Sequence, residues 1–126
     1  MAGKILVIDD SELVLEWTRL TLVEAGYQVE ISNTPFGTQT KAARFQPDLI
    51  LLDLDMPALD GNQVCEMLKA NKRTEDIPVL LHSAAEHERL EQATEQCGAD
   101  GYIAKAEDPR ELVEQIQNFL NLLAKL

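Results

Sequence analysis

Residues 49–61 read "LILLDLDMPALDG": four apolar residues run straight into Asp53, and Asp55 and Asp60 follow within seven positions. An unbroken apolar run this short is the pattern of a strand buried on both faces, because a half-exposed strand would alternate with polar residues. Such a strand should not end in unshielded negative charge, since a buried carboxylate is unfavourable without a partner. Asp53 and Asp55 therefore demand a purpose.

Further short runs rich in branched apolar residues lie on either side: KILVI (Lys4–Ile8), YQVEI (Tyr27–Ile31), VLLH (Val79–His82) and YIA (Tyr102–Ala104). Between them the apolar spacing becomes helical. Leu13, Trp17, Leu20 and Val23 form one stripe, Leu90, Ala93 and Cys97 another, and Leu112, Ile116, Phe119 and Leu123 a third. Ser83 and Asp108 each stand three positions ahead of a glutamate, as capping residues do, and Pro109 suits a first helical turn. Gly26 and Gly98 fall where helices end in a left-handed residue. Pro35 and Gly37 interrupt the segment after the second strand and make that helix the weakest of the five. Strands alternating with helices in this way predict an α/β fold with a parallel sheet covered on both faces.

The chain has 126 residues, 45% hydrophobic and 26% charged, which fits one globular domain over residues 1–126. Its 22 acidic residues against 11 basic ones give a net charge of −11. Phosphate backbones and anionic membranes are held by clustered Lys and Arg, so direct nucleic-acid and membrane partners are not expected. No apolar run reaches the ~18–20 residues of a membrane helix. Cys65 and Cys97 show no CxxC spacing and read as reduced core thiols of a cytoplasmic protein.

In open parallel sheets ligands gather beyond the carboxyl ends of the strands, where the strand order reverses. The first strand here ends in Asp9–Asp10, the third in Asp53, the fourth in Ser83 and the fifth in Lys105. With the first and third strands adjacent, three carboxylates converge on one pocket beside a hydroxyl and an ammonium. Two carboxylates ~4 Å apart repel by roughly 4 kcal/mol at an effective dielectric near 20, so three need raised pKa values or a cation. Oxygen ligands without His or Cys favour Mg²⁺ or Mn²⁺ over zinc. The turn after the first strand, DDSE, has neither GxGxxG nor GxxxxGK[ST], which excludes the usual dinucleotide and NTP cradles there. A carboxylate beside such a cation can attack a phosphoryl group.

Together, ILVIDD (5–10), PDLILLDLDMPALDG (47–61), IPVLLHSA (77–84) and GADGYIAKA (98–106) resemble the receiver domain of two-component response regulators. The resemblance runs nearly the whole chain. It implies a three-layer αβα sandwich, flavodoxin-like (βα)5, with a five-stranded sheet in the order 2-1-3-4-5. It implies that Asp53 takes a phosphoryl group from a sensor histidine kinase or a histidine phosphotransfer protein. Asp10 and Asp53 would ligate Mg²⁺ directly, with the main-chain carbonyl of Asp55, while Asp9 would act through a water. Lys105 would pair with phosphoryl oxygens, and Ser83 and Tyr102 would be the switch pair. A downstream protein target would read the face made by the fourth helix, fifth strand and fifth helix. Such a protein promotes only its own phosphorylation and dephosphorylation and is not an enzyme in the ordinary sense.

Ala106 departs from the family, which usually has proline after the lysine; a cis non-proline bond costs ~2.5–4 kcal/mol, so a trans bond is expected. His82, just before the switch serine, reads as a satisfied core histidine, and His87 as a solvated residue near a helix start. Leu120, Leu122 and Leu126 exceed what one helix face buries. They read equally as a homodimer contact, the lead-in to an output domain, or frayed apolar surface. Two other functions fit parts of the pattern: a haloacid-dehalogenase-type phosphatase using Asp53–Leu54–Asp55, and a pseudo-receiver that works without phosphorylation.

Overall fold

In the computed structural model, which describes residues 3–57 and 59–126, each apolar run becomes a strand of one parallel sheet. The elements follow in the order β1 (Lys4–Ile8), α1 (Glu12–Glu24), β2 (Gln28–Ser32), α2 (Thr38–Phe45), β3 (Leu49–Leu52), α3 (Gly61–Ala70), β4 (Val79–Ser83), α4 (His87–Cys97), β5 (Gly101–Ala104) and α5 (Pro109–Ala124). The strand order is β2-β1-β3-β4-β5, so β1 and β3 are neighbours, with Ile8 opposite Leu52 at their carboxyl ends.

The pleat divides the core in two. Ile5, Val7, Leu49, Leu51, Leu80 and Ile103 point to the face covered by α1 and α5, where they meet Leu15, Leu22, Leu112 and Ile116. Leu6, Ile8, Ile50, Leu52, Val79 and Leu81 point to the other face and meet α2, α3 and α4 through Ala42, Val64, Leu68, Leu90 and Ala93. Every residue of β3 is fully buried. At about 1.5–3 kcal/mol for each large aliphatic side chain removed from water, this central strand anchors both layers.

Three local expectations change in the folded chain. Helix α1 buries Leu15, Thr18 and Leu22, while Leu13 is 82% and Leu20 50% exposed. Both sets have helical spacing, and packing against α5 and the sheet selects between them. Ser83 ends β4 rather than capping α4, whose first residue is His87; its hydroxyl accepts from Ala85 N–H at 3.1 Å instead. Helix α2 starts after Gly37, held at φ 76°, and ends on Gln46 in the left-handed region at φ 53°. Asp108 and Pro109 start α5 as the sequence predicts, the Asp108 carboxylate accepting from Arg110 N–H. The left-handed residues at Gly26 and Gly98 are also as predicted. No peptide bond among the described residues is cis, so the bond before Ala106 is trans. Cys65 and Cys97 are free and buried, and the Cys65 thiol donates to the Cys97 carbonyl across α3 and α4.

Candidate functional site

The carboxyl ends of β1 and β3 deliver Asp9 and Asp53 side by side because each acid directly follows its strand. Asp53 N–H donates to Ile8 carbonyl at 2.8 Å, and Asp9 N–H to Ser32 carbonyl at 3.1 Å, so the ladder continues one residue past each strand end. The segment after Asp53 then folds back so closely that a Cβ on Gly61 would lie 2.3 Å from the Asp53 carbonyl oxygen. Only glycine fits that approach. Asp60, the third acid of the opening stretch, has a separate duty: it caps α3, accepting from Gln63 N–H at 3.0 Å while the Gln63 side chain accepts from Asp60 N–H. The D-x-x-Q spacing is a legible capping signal.

Asp9, Asp10 and Asp53 each offer a carboxylate oxygen within 4.8 Å of the others. Asp9 and Asp53 are buried and Asp10 is exposed, so the cluster lies on the rim with two acids beneath it. Lys105, at the end of β5, places Nζ 2.9 Å from Asp9 Oδ2 and 3.5 Å from Asp53 Oδ1. The Asp9 contact is close but misaligned, leaving Oδ2 an ion-pair partner with no directed hydrogen bond. Burial and then the neighbouring Asp9 charge push the Asp53 carboxyl up to about 6, against the pull of Lys105 and the Asp55 N–H. Burial works to lower Lys105, but the two carboxylates outweigh it and hold the ammonium above its usual range. The site thus carries more negative charge than its one lysine balances. A buried oxygen without a hydrogen bond and an all-oxygen donor set suit a hard divalent cation such as Mg²⁺ or Mn²⁺.

Ser83 and Asp55 form the other wall. The buried Ser83 Oγ lies 3.4 Å from Asp55 Oδ2. The Asp55 carboxylate points away from the acid cluster to Arg89 of α4, with Nη2 to Oδ1 2.6 Å, and this guanidinium holds its carboxyl below the usual range. Arg89 was not legible as a partner, because nothing in its local sequence marks a contact 34 residues away. Tyr102 lies on the face of α4 and β5 with its hydroxyl 2.6 Å from His87 Nδ1; His87 is exposed at the start of α4, as expected, and has this partner besides. His82 is a core residue, 2% exposed, but Nε2 has no hydrogen-bond partner and the expectation of a satisfied histidine fails.

The response regulator receiver domain profile matches residues 5–117. The chain belongs to that family. This receiver domain is 36% identical over 93% of its length to the DNA-binding dual master transcriptional regulator RpaA of Synechocystis sp., covering 48% of that protein. It is 37% identical over 95% of its length to the phosphate regulon transcriptional regulatory protein PhoB of Pseudomonas aeruginosa, covering 53% of it. Its backbone matches chemotaxis protein CheY4 of Vibrio cholerae with a TM-score of 0.86 at 25% identity, over 94% of this chain and 98% of that one. The receiver domain spans about half the length of the curated relatives it matches. Its family works as a phosphorylation-dependent signalling switch, not as a classical enzyme, and nothing supports the phosphatase-like or pseudo-receiver readings. The expectation of no nucleic-acid partner is unsupported, since RpaA is named as DNA-binding and the charge argument covers only these 126 residues. No helix among the described residues is long and apolar enough to cross a membrane.

Proposed function

We propose that Asp53 is the phosphoacceptor of this receiver domain, and that residues 1–126 act as one signalling unit in the cytoplasm. The reading rests on one observation above others: the oxygens of Asp9, Asp10 and Asp53 within 4.8 Å of one another, faced by the Lys105 ammonium. A carboxylate oxygen of Asp53 attacks the phosphorus of a phosphohistidine on a sensor histidine kinase or phosphotransfer protein. The P–N bond breaks with its electron pair going to nitrogen, the imidazole leaves neutral because its other ring nitrogen already carries a proton, and an acyl phosphate remains. Asp10 and Asp53 would hold a divalent cation, with Asp9 acting through a water and the Asp55 carbonyl as a further ligand, and the ion would supply neutralisation of the charge on the phosphoryl oxygens. Lys105 stays with the phosphoryl oxygens, and Ser83 Oγ turns from Asp55 to donate to them.

Movement of Ser83 vacates space on the face of the sheet that Tyr102 also packs against. In the present conformation the Tyr102–His87 hydrogen bond keeps that ring at the surface of α4 and β5. Phosphorylation shifts the population toward an inward Tyr102 and alters the α4-β5-α5 face that a downstream protein reads.

Acetyl phosphate with Mg²⁺ tests the chemistry. Intact mass spectrometry should show one phosphoryl adduct on the native chain and none on Asp53→Asn. An equal adduct on both chains would reject Asp53 as the acceptor.

A further inference from the structure

Strand β5 ends the sheet order and pairs only with β4, so its other edge is open between α4 and α5. Over that edge lies a groove of about 490 Å³, within the size range of binding sites. Its floor is apolar. Tyr102 of β5 and Phe119 of α5 are half-buried there, and Leu122, about one turn on from Phe119, is 63% exposed. Gln115 and Asn118 continue the same side of α5.

Charge separates this groove from a bare apolar patch. Glu91 of α4 stands on one wall, 3.7 Å from the His87 ring that meets the Tyr102 hydroxyl. Glu111 of α5 stands on the other wall, one turn before Gln115. Both acids are exposed, and among the described residues neither pairs with a lysine or arginine. The neighbouring bases are committed elsewhere. Arg89, on the far side of α4, is held by Asp55, and Lys69 is closed by Asp100. Lys105 is turned into the acid cluster, and Arg110 lies on the α1 side of α5 and pairs with Asp108. Lys125 ends α5 beyond the lining.

That distribution selects the occupant. A two-fold dimer presents the same surface on both copies. A second copy would therefore set Glu91 and Glu111 against their own counterparts, with no lysine or arginine in the lining to separate them. What complements the groove is an apolar side chain carried between cations.

Resting on the reading of α4, β5 and α5 as the output face, we propose that the downstream protein docks in this groove through a basic segment. An apolar side chain of that segment sits over Tyr102, Phe119 and Leu122, and its flanking lysines or arginines meet Glu91 and Glu111.

The native chain is titrated with three synthetic peptides: KRLLFRK, its acidic counterpart EELLFEE, and KRGGSRK, which keeps the charges and drops the anchor. Backbone amide NMR shifts report affinity and location together. The expected result is saturable binding of KRLLFRK, with shifts centred on Tyr102, Phe119 and Leu122, about tenfold tighter than either other peptide. Glu91→Lys with Glu111→Lys should weaken KRLLFRK about tenfold and admit EELLFEE. Glu24→Lys with Glu114→Lys, at exposed acids on the α1 side of α5, should leave the affinity unchanged. No saturable response overturns the proposal. So does equal binding of KRGGSRK, or equal weakening by the Glu24 and Glu114 pair, since either means attraction to the net charge of −11 alone. Sedimentation that finds the native chain dimeric through this face also overturns it. Each titration runs before and after acetyl phosphate with Mg²⁺, with intact mass reporting the adduct. A chain that binds KRLLFRK but takes no adduct supports the groove and counts against Asp53; one that takes the adduct and binds in neither state overturns the groove.

Discussion

Asp53 and Asp100 stand at opposite rims of the same sheet, and their surroundings differ in burial and in how much of each carboxylate is already used. Asp100, just before β5, accepts from Val79 N–H at 2.8 Å and from Lys69 Nζ at 2.7 Å. Lys69 also donates to the Ile77 carbonyl at 2.9 Å, so charge and hydrogen bonds close on themselves. Asp53, just after β3, is more deeply buried, yet its contacts are an Asp55 N–H at 3.3 Å and an ammonium at 3.5 Å that lies closer to Asp9. Asp100 ties the start of β4 to the start of β5. Asp53 holds unused acceptor capacity among like charges. The difference separates an acid that holds the fold from an acid that the fold holds ready.

Four changes would break or sharpen that contrast. The largest effect is expected for Lys105→Met, which removes the charge facing the phosphoryl oxygens. Labelling by acetyl phosphate, followed by mass spectrometry, should slow by about a hundredfold. Asp100→Ala should leave that rate unchanged but lower stability by about 2 kcal/mol in urea titration, because it strips a charge-assisted bond and a strand-start bond together.

Asp53→Asn should act in the opposite direction on stability. The folded carboxyl titrates near 6, above its ordinary 3.8. Its contribution is therefore complete below about pH 4 and lost as pH rises through 6. Without divalent cations, the native chain should weaken between pH 4 and 7, and the asparagine variant should exceed it by about 1–2 kcal/mol at pH 7. Urea midpoints across that range check the prediction; a native chain no weaker at pH 7 than at pH 4 would contradict it.

The smallest effect is expected for Arg89→Ala. Its exposed pair with Asp55 contributes under about 0.5 kcal/mol to stability. Freeing Asp55 should nevertheless change the lifetime of the acyl phosphate, measured as decay of the adduct. An unchanged lifetime would detach Asp55 from the site.

The features legible before folding were those set by near neighbours in the chain. Unbroken apolar runs marked the buried strands, and the acids that follow them marked the rim. Asp108–Pro109 and Gly98 fixed helix ends through local backbone chemistry. Where two local patterns competed, the sequence was ambiguous. Leu13 and Leu15 each begin a helical stripe, and Ser83 fits both a helix cap and a strand end. The partners of Asp55 and Tyr102, and the lack of one at His82 Nε2, were illegible, since each is determined by which helix packs on which strand.

By itself, then, the sequence determined an alternating α/β chain and the order in which three aspartates, a serine and a lysine meet its strand ends, because period and capping are local properties. Tertiary structure alone decided that Asp9 presses against Asp53, that Arg89 takes Asp55, and that the buried His82 Nε2 is left without a partner. Those facts depend on distances between residues far apart in the chain, and only the packed sheet and helices set such distances.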